Sequence, residues 1–137
     1  AHQWQDEIST WSPDINAIVY HGNAEAREII RDKEWWFDNS FVGQEQAKTL
    51  RKRGIPKFNI MITTFEIALR EVKDLCKISW QVLVVDEAHK LKNCESKLFQ
   101  ELRSLPRKHC LLLTGTPLQN KTEELWALLN FCDKLHF

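Results

Sequence analysis

Four stretches of this chain carry apolar residues in nearly unbroken runs, and helical spacing governs the apolar positions between them. Ile15 to Tyr20, Phe58 to Thr63, Val82 to Val85 and His109 to Leu113 each read as a short strand. Continuous rather than alternating hydrophobicity predicts strands buried on both faces of a parallel sheet. Between them, His2 to Trp11 places Trp4, Ile8 and Trp11 on one stripe, predicted to face the core, and Ser12-Pro13 ends it. Asn23 is placed to cap a helix through Ala26, Ile29, Ile30 and Lys33 towards Trp36, with Glu25 in its first turn. Trp35-Trp36-Phe37 then reads as hydrophobic packing at a helix end. Phe65 to Leu75 is a further helix. Leu98, Leu102 and Leu105 mark the next, which Pro106 terminates. In the last, Thr122 is the cap, Glu123 and Glu124 fill the first turn, and Leu125, Leu128, Leu129 and Cys132 face the core. Strands alternating with helices define an α/β domain. Residues 38–54 break the pattern. They are polar, carry Gly43 and the cations Lys48, Arg51, Lys52 and Arg53, and read as a flexible surface insertion, its charges solvated or touching phosphate.

Chemistry gathers behind the strand at Val82. Asp86 and Glu87 follow its last residue, and the carboxyl ends of strands are where open α/β sheets bind ligands. One carboxylate at such a place suits a hydrated Mg²⁺, which keeps most of its waters. The other suits proton abstraction from a water aimed at a phosphate. An Asp-Glu pair alone is equally a solvated acidic turn, so the residues behind it decide. They are Ala88, His89, Lys90, Leu91, Lys92 and Asn93. About two dozen residues on, Leu113-Thr114-Gly115-Thr116-Pro117-Leu118-Gln119-Asn120 leaves the end of the next strand.

These two blocks, in this order, resemble the DEAH-form hydrolysis motif and the third motif of superfamily 2 helicases, in the version used by Snf2-type chromatin-remodelling ATPases. Tyr20-His21-Gly22, Ile29-Ile30-Arg31, Phe58-Asn59-Ile60, Ile62-Thr63-Thr64-Phe65-Glu66 and Glu124 to Phe131 extend the likeness and are most similar to the chromodomain-helicase-DNA-binding (CHD) subfamily. The resemblance implies a three-layer RecA-like sheet, the first ATPase lobe, with ATP and Mg²⁺ as ligands. It implies that Asp86 positions Mg²⁺ through water, that Glu87 activates the attacking water, and that His89 with Thr114, Gly115 and Thr116 couples nucleotide state to DNA grip. Thr63 and Thr64 are then candidates for holding DNA backbone, and Gln119 and Asn120 are candidates for DNA contact or simply a polar loop before the last helix. Hydroxyls at a strand end bond phosphate oxygens without reading sequence, while either threonine also suits a helix cap. The implied partners are double-stranded DNA, nucleosomes and a second RecA-like lobe, and the implied compartment is the nucleus.

Composition limits these readings. Lys plus Arg and Asp plus Glu are both 19, so any DNA contact is local rather than a field of the whole domain. Cys76, Cys94, Cys110 and Cys132 lack zinc or disulfide spacing and read as buried free thiols of a reducing compartment. Neither a signal peptide nor an apolar run of membrane length appears, which predicts a soluble intracellular protein. The four glycines, at 22, 43, 54 and 115, cannot form a Gly-x-x-x-x-Gly-Lys-Ser/Thr loop, the usual phosphate cradle. The chain is accordingly expected to be a partial lobe without its phosphate-loop strand, inactive on its own, with Cys110 to Leu113 as an open sheet edge. Two other readings stay open. One is a non-catalytic helicase-like interaction module; the other is a DEAH-type RNA helicase, from which Lys90-Leu91-Lys92-Asn93 and Leu118-Gln119-Asn120 differ in the Snf2 direction.

Overall fold

Among the described residues, both strand pairs are parallel, and each is joined by a helical crossover, as parallel pairing requires. The computed structural model describes residues 2–115 and 122–133. Residues 1–71 form one compact unit and residues 72–137 a second. The first contains α1 (His2–Trp11), β1 (Ala17–Val19), α2 (Ala24–Ile30), α3 (Gln44–Lys52), β2 (Ile60–Ile62) and α4 (Phe65–Arg70). The second contains α5 (Val72–Leu75), β3 (Trp80–Val85), α6 (Lys97–Arg103), β4 (Arg107–Leu112) and α7 (Thr122–Cys132). The α/β class with parallel strands and flanking helices is as the sequence predicts, with the strands distributed as one pair per unit.

In the first unit, β1 pairs with β2 from Ala17 opposite Ile60 to Val19 opposite Ile62. Ile18, Tyr20, Trp35, Phe58, Ile62 and Ile67 form the core. Trp35 is its centre, edge-on to Tyr20 at 5.1 Å and to Phe58 at 6.5 Å between ring centroids. Each such pair adds about 0.5–1.5 kcal/mol beyond area burial. Asn23 caps α2 as expected, its side chain accepting from the Ala26 N–H at 2.8 Å. Beyond Ile30 the helix widens into a π turn over Arg31–Trp35, a form tolerated in short stretches. The buried side of α2 carries Arg27, while Ile29, expected in the core, is exposed. The reason is ionic: Arg27 Nε lies 2.8 Å and Arg31 3.1 Å from the Glu71 carboxylate, so that face must turn inward.

Several other expectations need correction. The stripe on α1 does not enter a core: the helix buries no residue, and Trp11 is 80% exposed, its indole donating to Glu7. Ile8 is half-buried on that face, while Trp11 stands out from it. Residues 38–54, read as a flexible insertion, contain α3, which buries Ala47 and sets Arg51 over the Trp36 ring at 5.4 Å. Gly54, at φ 70°, ends this helix, and Ile55 N–H donates to the Leu50 carbonyl, a common glycine-dependent helix stop. The helix expected over Phe65 to Leu75 is broken at Glu71, whose backbone leaves helical geometry.

In the second unit, β3 and β4 pair from Trp80 opposite Arg107 to Val85 opposite Leu112. Only one face is covered. Val82 and Val84, with Leu111 opposite Val84, are about half exposed, against the expectation of strands buried on both sides. Among the described residues β4 pairs with β3 alone, leaving its other edge without a strand. Phe99 of α6 and Phe131 of α7 meet edge-on at 5.4 Å, both fully buried. Phe131 turns α7 so that Ala127, Leu128 and Asn130 are buried beside it while Leu125, Leu129 and Cys132 are exposed, correcting the predicted stripe. A larger apolar ring gains more from burial than a leucine does, which fixes the rotation. Arg107 closes this core, its guanidinium donating to the Arg103 and Phe131 carbonyls. All four thiols are free, but none is fully buried, and Cys76 and Cys132 are exposed. Burial, then the neighbouring Cys132, pushes the Cys110 thiol up to about 12.

Gly22 shows what the turn after β1 demands. Its φ of 109° is open to glycine, and a Cβ there would meet Ala26 Cβ at 2.9 Å. Gly22→Ala is expected to lower unfolding free energy by about 2 kcal/mol, as backbone strain and a clash combine. Urea denaturation measures this, and an unchanged midpoint would remove the constraint.

Candidate functional site

The acidic motif occupies a turn whose position is set by main-chain bonds. Leu113 N–H donates to Val85 O at 2.8 Å, continuing the β3–β4 ladder one step past its last assigned pair. Ala88 N–H then donates back to Leu113 O, also at 2.8 Å. These two bonds bring the end of β3 and the end of β4 together, so Asp86, Glu87 and His89 share one rim with Thr114 and Gly115. Ala88 and Leu91 are wholly buried and anchor a 3-10 turn over Ala88–Leu91. A larger side chain at 88 would have no room.

Glu87 pays for this geometry. Its backbone is left-handed, at φ 56° and ψ 42°, and it is the non-glycine residue with positive φ among the described residues. That conformation costs an L residue about 1–2 kcal/mol, and such strain gathers at functional turns. Asp86 Oδ1 accepts the Glu87 N–H at 2.9 Å, which fixes its carboxylate at the strand end. Both carboxylates are exposed. His89 Nδ1 lies 3.6 Å from Glu87 Oε2, beyond hydrogen-bond range, and is shielded from solvent without another partner. A small movement of either side chain would make that bond.

The threonines of the first unit follow β2. Thr63 Oγ1 donates to Tyr20 O at 2.8 Å, tying the end of β2 to the end of β1, so its proton is already engaged. Thr64 is exposed and caps α4, its Oγ1 accepting from Ile67 N at 3.2 Å, and this leaves the hydroxyl proton able to meet an anion. Thr116, Gln119 and Asn120 lie outside the described residues. Two features escaped the sequence reading. Lys92, at the close of the motif, approaches Glu124 of α7 at 3.9 Å, a half-exposed pair of small energetic weight. The other is the Arg27–Glu71–Arg31 cluster.

A group of three or more metal-ligating side chains is absent among the described residues. A single carboxylate still fits Mg²⁺, which binds through one or two carboxylates plus water and phosphate. Asp86, held at its strand end and exposed, meets that demand. The phosphate cradle is a different matter, since no glycine loop of the required form occurs in the sequence. The exposed carboxylates of Asp86 and Glu87 have the chemistry that a hydrated metal and a phosphate-directed water require. A cleft of about 720 Å³ is lined by Lys92 to Glu95 and by Thr122 to Glu124 with Trp126, and neither Asp86 nor Glu87 lines it.

A parallel α/β lobe with an acidic turn at its strand ends is the architecture of a RecA-like ATPase lobe. The SNF2-related domain family matches residues 1–137, and the chain belongs to that family. Protein CHROMATIN REMODELING 4 of Arabidopsis thaliana is 46% identical over 134 residues, covering 98% of this chain and 6% of that protein. Chromodomain-helicase-DNA-binding protein 1 of Gallus gallus is 45% identical over 128 residues, covering 93% of this chain and 7% of its own length. Among solved structures, the Sulfolobus solfataricus SWI2/SNF2 ATPase core in complex with dsDNA matches with a TM-score of 0.67 at 26% identity. That match covers 96% of this chain and 22% of the solved one. The expected likeness to Snf2-type and CHD proteins thus holds, and this chain spans only a small part of the relatives it matches.

If the turn is strained for function, glycine should relax it. Glu87→Gly is expected to raise stability by about 0.5–1 kcal/mol, the left-handed penalty less the added chain entropy of glycine. A lower urea midpoint than wild type would show that the Glu87 side chain holds the turn together.

Proposed function

We propose that this chain forms part of the first ATPase lobe of a nuclear, ATP-dependent chromatin remodeller that translocates on double-stranded DNA and moves nucleosomes. The observation that carries the reading is the strained acidic turn, bonded through Ala88 to the end of β4. Asp86 would hold Mg²⁺ through its water shell at the strand end, where the ion would supply charge neutralisation at phosphate oxygens. Glu87 takes the proton of the attacking water, and the exposed, unencumbered position of its carboxylate suits that role. His89, poised 3.6 Å from Glu87, carries the state of the carboxylate to Thr114, Gly115 and Thr116. Thr63, Thr64, Gln119 and Asn120 hold DNA backbone, with Thr64 the better placed of the threonines because its proton is not committed. A second RecA-like lobe of the same protein completes the site. The relatives' names and the DNA-bound ATPase core support the partner and the activity.

The alternative reading is a non-catalytic helicase-like interaction module. The two readings separate in the full-length protein. Glu87→Gln there is expected to keep nucleotide binding and lose DNA-stimulated phosphate release by at least about 100-fold, the usual weight of a general base. Near-normal turnover would refute the assignment, and no turnover in the wild type would favour the non-catalytic module. Purified 1–137 is expected to release no phosphate above a Glu87→Gln control, since phosphate contacts precede chemistry. Measurable turnover by 1–137 would reveal a different phosphate site.

A further inference from the structure

The first unit contains a buried ionic cluster for which the proposed chemistry has no use. Arg27 of α2 is 8% exposed, and its Nε donates to Glu71 Oε1 at 2.8 Å. The same guanidinium donates to the Gly22 carbonyl at 2.6 Å. Arg31, one turn on, donates to Glu71 Oε2 at 3.1 Å and to the Tyr20 hydroxyl at 2.6 Å. Glu71 is also the residue that ends α4, its N–H donating to Ile67 O, and Thr64 caps the other end of that helix. Tyr20 in turn accepts the Thr63 proton on its carbonyl, while its N–H donates to Ile62 O.

These bonds close a circuit. Gly22 and Tyr20, at the end of β1, are gripped by α2. Thr63, at the end of β2, is gripped by Tyr20. Thr64 heads the helix whose tail, Glu71, is gripped by both arginines. Charges buried this way cost several kcal/mol each to desolvate unless fully paired. Neutral packing would stabilise the unit as well; what the ionic circuit adds is fixed direction, because each Glu71 oxygen accepts from a different arginine and each guanidinium also bonds the turn after β1.

We infer that Arg27, Arg31 and Glu71 are positioning residues that hold the Thr63-Thr64 turn and the Tyr20–Asn23 turn as one rigid platform for DNA phosphate. The inference rests on the reading of Thr63 and Thr64 as backbone contacts. None of the three touches DNA. A neutral hydroxyl forms a useful bond to phosphate only within a few tenths of an ångström, so its carrier must be stiff. Arg31 of Ile29-Ile30-Arg31 thereby joins Tyr20 of Tyr20-His21-Gly22 to the cluster.

The test uses the full-length protein and a DNA-stimulated ATPase assay across DNA concentrations. Glu71→Gln keeps the shape and removes the charge. The expected result is a rise of at least about threefold in the DNA concentration for half-maximal rate, with kcat at saturating DNA within about twofold and the nucleotide KM unchanged. The salt dependence of DNA binding should keep its wild-type slope, since a residue that directly paired a phosphate would reduce it by about one. An unchanged half-saturation in a cooperatively melting variant overturns the inference, and so does a reduced slope. If Glu71→Gln does not fold, Arg31→Lys decides on the same criteria. It keeps the charge and replaces the planar guanidinium, whose Nη1 bonds both Glu71 and Tyr20, at a site about a quarter exposed. Thr64→Ala measured alongside separates the two levels. No loss of DNA affinity there removes the backbone reading itself, whereas loss there without loss in Glu71→Gln removes only the positioning role.

Discussion

Two main-chain hydrogen bonds, Leu113 N–H to Val85 O and Ala88 N–H to Leu113 O, determine what the second unit is able to do. A parallel ladder would otherwise leave the ends of β3 and β4 to splay, and Asp86 would have no fixed relation to Thr114. With the bonds made, Ala88 must descend into the core, and Glu87 must reverse the chain in a single residue. The left-handed backbone at Glu87 follows from that demand. The result is an acid held outward, beside a histidine close enough to reach it and too far to bond it. An element with two arrangements so near in geometry can respond to a ligand that favours one of them.

The strand runs and the acidic turn were readable because their signals are local. Val82 to Val85 followed by Asp86 needs no distant information to be recognised as a strand end. Faces were another matter. A stripe of Trp4, Ile8 and Trp11 states which residues lie on one side of a helix, not that anything covers that side. The same limit applied to β3, where an apolar run allowed burial on both faces and only one is covered. For α7 the stripe was displaced by Phe131, since its partner Phe99 lies in another element. The helix at 44–52 was within reach: Glu45 in its first turn, Arg51 and Lys52 in its last and Gly54 beyond are the ordinary signals of start and stop, obscured by the high polarity of the segment.

Arg27 marks the point where single-sequence reasoning fails on physical grounds. An arginine at a helical position is ordinarily solvent-facing. Its burial here depends on Glu71, 44 residues away, and on a helix that stops at that glutamate. Neither fact is encoded near Arg27. Once known, they also explain why Ile29 is exposed and why the π turn appears. The helix must present two arginines, four residues apart, to one carboxylate and still deliver Trp35 to the core between Tyr20 and Phe58.

Net neutrality gives these local arrangements their importance. With 19 basic and 19 acidic residues, the chain generates no broad field to draw DNA onto its surface. The exposed cations of α3 include Arg51, which is engaged with the Trp36 ring. On the proposed reading, Thr63 and Thr64 would grip phosphate as neutral donors, and these release no counterions on binding. Such contacts lose little when salt rises and lose nearly everything when their geometry relaxes. On that reading, stiffness matters more than charge. A buried, fully paired ionic circuit beneath two threonines is the kind of structure that supplies it.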